Sequence, residues 1–312
     1  MRVLLVVNPA ASSVSSHTRA AVERILRAAF ALDVVETTRR GHATELARDA
    51  VGNGYDVVAV LAGDGTLNEA GGGLAGSTVA LAPLPGGSTN VFARTLGIAY
   101  DPEDAARELV ESLQHGRMRR IGLGAATAAG TAARHFLFHL GVGFDAAIIR
   151  RMEARSYLKR YLAHPAFAVA TIDTWLRYYD RRTAIRLTSN MDGGGQVVAT
   201  GPYAVISNSD PYTYVGRRRM TIAPSASLDD ALTVTVLTDL RAGLILRTAA
   251  SSVGSARYLG ASPRIVQVAD AVAVSLTGDC PFPWQVDGDY LGEVEHLDVA
   301  YLPDCLTIVT PT

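Results

Sequence analysis

The sequence predicts two domains: an α/β domain built on a parallel sheet, followed by a mostly antiparallel β domain. Three observations carry this. Fully apolar strand runs alternate with helical spacing over the first third of the chain. The pattern then shifts near Ile121–Leu123 to short strands separated by turn residues. A chain of 312 residues with 48% hydrophobic residues is long enough for two cores and rich enough to fill them.

The elements of the first domain follow in order. Val3–Val7 is a continuous apolar run, the signature of a strand buried on both faces. Thr18–Phe30 spaces Ala21, Val22, Ile25, Leu26 and Ala29 at helical intervals, and Val34–Glu36 is a short strand. His42–Val51 reads as a helix ended by Gly52-Asn53-Gly54. Asp56–Leu61 and Val79–Leu84 are further buried strands. Asp101 followed by Pro102 opens a helix that Gly116 closes. Alternation of this kind implies a parallel sheet covered by helices.

In the second domain, His135–Val142, Ala184–Leu187, Val197–Val198, Tyr203–Ser207, Met220–Ala223, Leu232–Leu237, Ile265–Val268, Ala271–Leu276, Trp284–Val286 and His296–Ala300 are strand-like. Turns such as Asp192-Gly193-Gly194-Gly195 and Asp287-Gly288-Asp289 separate them. Two stretches, Ala146–Tyr179 and Ala242–Leu259, read as helical. The expected domains are 1–122 and 123–302, with 303–312 returning to the first.

Composition narrows the function. A formal net charge of -1 argues against a nucleic-acid binder. Cys280 and Cys305 have neither metal-ligand spacing nor a disulfide pattern, which fits a reducing cytoplasm. No apolar run reaches spanning length, so any membrane contact would be peripheral, at the inner face. Arg150, Arg151, Arg155, Lys159 and Arg160, with Tyr157, Tyr161, Phe167, Trp175, Tyr178 and Tyr179, give Ala146–Tyr179 a basic and aromatic character. That suits either an anionic membrane surface or an ordinary solvated helix face. Arg217-Arg218-Arg219 is a second basic run. His135 and His139 flank a strand pattern and read as core or surface histidines rather than metal ligands. Trp284 reads as a packing residue.

Three loops sit at the carboxyl ends of predicted strands, where open α/β sheets bind ligands. They are Asn8-Pro9-Ala10-Ala11-Ser12-Ser13, Ala62-Gly63-Asp64-Gly65-Thr66-Leu67-Asn68-Glu69 and Pro85-Gly86-Gly87-Ser88-Thr89-Asn90. Glycines admit a close ligand, the following helices offer unpaired N–H groups, and Asp64 is a hard oxygen donor for a magnesium ion. One such loop is as often a plain turn; three together point to a phosphate-bearing ligand. The pattern is neither of the two common phosphate-loop motifs.

Gly63-Asp64-Gly65-Thr66-Leu67-Asn68-Glu69 resembles the G-G-D-G-T-x-N-E motif of the diacylglycerol and sphingosine kinase family. Pro85–Arg94, Pro224–Ala231 and Val286-Asp287-Gly288-Asp289-Tyr290 resemble three further segments of that family, in its order. The resemblance implies a fold like those of NAD kinase and diacylglycerol kinase, with ATP between the domains and a lipid hydroxyl as acceptor. It implies contacts to ATP or Mg2+ from Asn8, Thr38, Gly63, Asp64, Gly65, Thr66, Asn68, Glu69, Gly87 and Ser88. It places Asp64, Asp287 and Asp289 in catalysis, with either of the last two as the base. It implies a structural magnesium site at Ser227, Asp230 and Leu232. The chain departs from the family at Ala62, Val91, Gly122, Ala231 and Asp289 and lacks a lysine in the first loop; these changes bear on the metal network. The acceptor is left open among diacylglycerol and other single-hydroxyl lipids, and a homodimer is compatible with the sequence. An NAD kinase-like enzyme and a lipid-binding protein of weak catalysis are the competing readings. The fusion of Asn68-Glu69 to the glycine loop favours the lipid kinases.

Overall fold

The computed structural model describes residues 1–153, 171, 173–177 and 184–311. The chain divides into two compact units, Met1–Leu123 with Pro303–Thr312, and Gly124–Leu302.

The first unit is a parallel sheet. Its strands are β1 (Arg2–Val7), β2 (Ala31–Glu36), β3 (Val57–Ala62) and β4 (Ala80–Pro85). β1 pairs with β2 on one side and β3 on the other, and β3 pairs with β4, all in parallel. Thr307 and Ile308 add a further parallel pairing outside β4. The chain therefore runs from β1 to one neighbour and crosses back to the other. The order reverses between β1 and β3, and such a reversal is where open α/β sheets hold ligands. β3 and β4 are buried at every position, which explains their unbroken apolar sequence.

Helices α1 (Ser16–Ala29), α2 (His42–Gly52), α3 (Asp64–Leu74), α4 (Val91–Thr95) and α5 (Pro102–Gln114) join and cover the strands. Ser15 caps α1 by accepting the Thr18 N–H, and Asp101 caps α5 by accepting those of Glu103 and Asp104. Val22 and Leu26 of α1 and Leu109 and Leu113 of α5 share one core with Val3, Leu5, Val57, Leu61 and Leu84.

The second unit is antiparallel. It holds the end of β5 (Met118–Ala128), then β6 (Arg134–Phe136), β7 (His139–Gly143), β8 (Ile185–Met191), β9 (Gln196–Gly201), β10 (Tyr203–Ser207), β11 (Thr213–Val215), β12 (Arg218–Met220), β13 (Leu232–Leu237), β14 (Ile265–Val286) and most of β15 (Asp289–Val309). β14 pairs through residues 265–271 with β13 and through residues 284–286 with β7. β10 lies between β7 and β13, so these four strands close into a ring. Leu140, Val142, Ile206, Val234, Leu276, Phe282 and Trp284 fill one core of this unit. Against the other face pack α6 (Phe144–Glu153), α7 (Ala242–Val253) and α8 (Arg257–Ala261), with Phe144, Ile148, Leu244 and Leu259 buried there.

Four sequence readings change. Three expected strands between 265 and 286 are one long strand, because Asp270 at φ 57° and a register shift between Thr277 and Phe282 bend it without ending it. The expected strand His135–Val142 is interrupted at Leu137 and Phe138. The expected helix Ala242–Leu259 is two helices, broken around Gly254 and Ala256, the latter at φ 58°. The strand expected at Met220–Ala223 ends at Met220. Of the long basic stretch, only α6 and residues 171 and 173–177 are described. Arg155, Tyr157, Lys159, Arg160, Tyr161, Phe167, Tyr178 and Tyr179 lie outside the described residues. No helix of the described residues is long and apolar enough to cross a membrane.

Candidate active site

The candidate residues form two sets, one in each unit. In the first unit the three loops leave β1, β3 and β4 and are tied to one another. Asn8 Nδ2 donates to Thr66 Oγ1 at 3.0 Å, joining the first loop to the second. The Asn8 Oδ1 accepts the Ala10 N–H at 3.0 Å, which tightens the first loop. Ser13 donates its N–H to the Gly86 carbonyl at 2.9 Å and its hydroxyl to the Gly87 carbonyl at 3.2 Å, joining the first loop to the third. A cavity of about 470 Å³ opens beside the first loop, lined by Val7, Pro9, Ser15, Arg19, Glu23 and Glu36 among others.

The second and third loops touch backbone to backbone. A Cβ on Gly87 would lie 2.7 Å from Gly63 Cα, and one on Gly86 would lie 2.8 Å from the Ala62 nitrogen. These glycines serve close approach between two loops. Asn90, at φ 48°, closes the third loop by exchanging hydrogen bonds with Gly87, at 2.8 and 2.9 Å. Gly87→Ala is accordingly expected to destabilise by about 1–3 kcal/mol, as overpacking does. Thermal melts check this; an unchanged Tm would contradict the packing argument.

Asp64 is the clamp of this set. Its Oδ2 accepts the Val91 N–H at 2.9 Å and its Oδ1 the Phe92 N–H at 3.2 Å, so it caps α4 from across the loops. Burial pushes its carboxyl above the ordinary range, against the lowering pull of those two donors. Val91, where the family has Asp, thus contributes its backbone N–H here. Both Asp64 oxygens are turned to protein donors, and no group of three or more His, Cys, Asp or Glu side chains converges as a metal site among the described residues.

The remaining first-unit candidates divide. Gly65 and Ser88 are exposed and Thr66 is half-buried. Asn68 is buried in α3 with its Oδ1 unpartnered, and a buried acceptor without a donor marks a place for a water or a ligand group. Glu69 is engaged elsewhere: its Oε1 accepts the Gly41 N–H at 2.8 Å and its carbonyl accepts the Thr44 hydroxyl, which fixes the start of α2. Thr38 lies after β2, with its N–H 3.1 Å from His42 Nδ1.

In the second unit the pair Val286↔Asp289 closes a two-residue hairpin between β14 and β15, with Asp287 at φ 48° and Gly288 at φ 85°. Both φ values suit the primed turn that hairpins favour. The Asp287 side chain folds inward. Its Oδ1 accepts the N–H groups of Phe138 at 3.1 Å and His139 at 2.8 Å, and its Oδ2 accepts that of Leu137 at 2.9 Å. This is the interruption between β6 and β7: three N–H groups leave the ladder for one carboxylate. Burial pushes the Asp287 carboxyl up to about 7, three backbone donors pull it down, and nearby Asp289 adds to the rise. Asp289 itself forms an ion pair with Arg134 Nη2 at 3.0 Å. Nothing in the local sequence singles out Arg134; only its placement on β6 marks it.

His139 is a core histidine. Its ring stacks on Tyr212 with centroids 4.1 Å apart, and burial holds its pKa down to about 3, so it is neutral. Trp284 is packed in the core. Arg150 and Arg151 are paired with Glu293 at 2.8 Å and Asp173 at 2.7 Å, while Arg219 is paired with Asp210. Ser227 and Asp230 lie on a turn leading into β13, which Leu232 opens, and the Ser227 carbonyl accepts the Asp230 N–H at 3.3 Å.

A parallel α/β unit with phosphate-type loops at its order reversal, followed by a β unit with a paired-carboxylate hairpin, defines a two-domain kinase fold. Residues 2–125 match the diacylglycerol kinase catalytic domain, and residues 139–310 match the YegS C-terminal NAD kinase beta sandwich-like domain. The chain belongs to this diacylglycerol kinase family of lipid kinases. It is 27% identical over 300 residues to a Chromohalobacter salexigens protein described as "Probable lipid kinase YegS-like", covering 95% of this chain and 89% of that protein. A Bacillus subtilis diacylglycerol kinase is 30% identical over 127 residues, 39% of this chain and 41% of that one. In fold, the chain is similar to a Bacillus anthracis str. Sterne protein assigned as a diacylglycerol kinase, with TM-score 0.76, 23% identity and coverage of 99% of this chain and 95% of that one. A lower similarity, TM-score 0.54 at 11% identity, covers 100% of this chain and 94% of an Archaeoglobus fulgidus NAD kinase solved with ATP.

Proposed function

We propose that this lipid kinase transfers the γ-phosphate of ATP, delivered with Mg2+, to the hydroxyl of diacylglycerol or a related lipid. The observation that carries the reading is the Asp64 clamp. It ties the second and third loops together at the carboxyl ends of β3 and β4 and leaves Gly65 and Ser88 at the surface beside Thr66. Such a cradle supplies the positioning that phosphoryl transfer chiefly needs.

Asn8, Gly63, Gly65, Thr66 and Ser88 hold the phosphates through backbone N–H groups and hydroxyls, and Asn68 orients a water or ligand donor beneath them. Gly87 serves by letting the loops meet. Magnesium enters as part of the nucleotide substrate. The structural magnesium site at Ser227, Asp230 and Leu232 stays part of the proposal, resting on the family resemblance of that turn. On the acceptor side, Asp287 is the anchor and Asp289 takes the proton of the lipid hydroxyl, held in place by Arg134. Asp287 is poorly suited to that role because its oxygens already accept three N–H groups.

The acyl chains are assigned to the β unit, and a peripheral site of action at the inner membrane face is part of the same reading. The test is transfer from radiolabelled ATP across diacylglycerol, monoacylglycerol, ceramide, a sphingoid base and an isoprenoid alcohol, with NAD as a control acceptor. Labelled phospholipid from at least one lipid is expected. Label in NAD with none in any lipid would overturn the proposal.

A further inference from the structure

The second unit holds a buried polar chain beneath the acceptor-side hairpin, made of residues that nothing above assigns a role. Asp145 stands in the first turn of α6, 4% exposed. Its Oδ1 accepts the Tyr212 hydroxyl at 2.9 Å and its Oδ2 accepts Gln285 Nε2 at 2.8 Å. Gln285 is fully buried on β14, and its Oε1 accepts the Gly288 N–H at 2.8 Å. Gly288 is the second residue of the hairpin loop, between Asp287 and Asp289. The links thus run Tyr212, Asp145, Gln285, Gly288 without a gap. His139 covers Tyr212 from one side by ring stacking, and its own N–H is held by Asp287.

The surroundings keep this arrangement open. Gly141 lies opposite Gln285 in the β7–β14 pairing. A Cβ at that position would lie 1.8 Å from Asp145 Oδ2 and 2.6 Å from Gln285 Nε2. Only glycine leaves room for the two side chains to meet. A buried carboxylate and a buried amide are costly unless fully bonded, and partial satisfaction is worse than an apolar filling. The turn residues already favour a two-residue hairpin at this point. The chain of bonds fixes something finer than the turn's existence: the orientation of the amide between the two aspartates.

We propose that Asp145 and Gln285 are positioning residues that orient the Asp287–Asp289 hairpin for proton acceptance from the substrate hydroxyl. Asp145 acts only through Gln285, whose amide it orients so that the oxygen faces the Gly288 N–H. The inference rests on the reading of that hairpin as the acceptor side of the kinase.

The test exploits the polarity of the Asp145–Gln285 bond, which one pair of substitutions reverses. In Asp145→Asn one acceptor oxygen is left for two donors, the Tyr212 hydroxyl and Gln285 Nε2, so one of the two bonds is lost or reversed. In Gln285→Glu two carboxylate oxygens meet. In the double variant the introduced amide on α6 donates to the introduced carboxylate on β14. The Tyr212 hydroxyl and the Gly288 N–H then each still have an acceptor. Each single variant is expected to lower kcat at least 10-fold with the KM for ATP changed less than 2-fold, and the double variant to recover to within about 3-fold of wild type. Amide exchange of Gly288, followed by NMR, should quicken by about 10-fold or more in each single variant and return in the double. Tyr212→Phe keeps the stacked ring and removes one bond, so it gives a milder exchange increase if a single variant fails to fold. Singles with wild-type kcat and wild-type Gly288 exchange, or a double variant no better than the worse single, would overturn the proposal. A wild-type protein that phosphorylates no lipid defeats the functional reading instead, and the exchange data still decide whether this chain of bonds holds the hairpin.

Discussion

Replacing Asp289 with asparagine is expected to lower lipid phosphorylation by roughly 10²- to 10⁴-fold, the usual contribution of a positioned general base. The fold should survive the change. Asp289 is partly exposed, and its ion pair with Arg134 is of a kind worth about 0–1 kcal/mol. Asparagine keeps an oxygen that can accept from Arg134. The measurement is kcat at saturating ATP and lipid, set beside the Tm of the same preparation. Turnover close to wild type would remove Asp289 from the reaction and return the proton to Asp287.

Asp287→Asn should behave in the opposite way, with its first effect on stability. Asparagine tolerates the left-handed φ of 48° and has one oxygen for Phe138 and His139. Its amide nitrogen then faces the Leu137 N–H, donor against donor. An unsatisfied buried donor costs about 1–3 kcal/mol, and a second arises if the amide turns over. The pH dependence has a definite sign. The folded carboxyl is raised to about 7 from an ordinary value of 3.8. A raised carboxyl means the folded state holds the proton more tightly than the unfolded state. Its contribution is full below about pH 4, falls as pH rises, and is constant above about pH 7. The Tm of wild type minus that of Asp287→Asn should therefore shrink across that interval. A difference that grows with pH would show that the three backbone donors outweigh burial and hold the carboxyl low.

The two variants separate roles that the sequence leaves joined. Asp287 and Asp289 stand two apart in a turn motif, and the residues around them are silent about which faces inward. The answer depends on the N–H groups of Leu137, Phe138 and His139, 150 to 148 positions earlier, and no local pattern reports such a partner. The same distance hides Arg134 and the Asp145–Gln285 bond. Asp145 lies in an apolar helix start where an acidic residue suits the helix dipole, so nothing flags it as the partner of a glutamine on β14.

The three glycine loops are far more legible. Each follows an unbroken apolar strand, and a strand buried on both faces announces itself without reference to the rest of the chain. From sequence, their glycines read as openings for a ligand. In the fold, Gly86 and Gly87 admit the neighbouring loop instead, which only the pairing of β3 with β4 brings within reach. Asp64 reads as a metal ligand because carboxylates near phosphate loops commonly are; its partners are the N–H groups of Val91 and Phe92. Glu69 likewise turns to Gly41.

By itself, then, the sequence determined the class of each unit, the position of the loops and the family. Those follow from hydrophobic period, turn residues and short motifs, all of which act over a few residues. Tertiary structure alone decided where long strands bend rather than stop, why β6 and β7 are separate, and what each acidic side chain holds. A carboxylate satisfies its acceptors with whatever donors the fold brings near, and in this protein those donors come from remote segments of the chain.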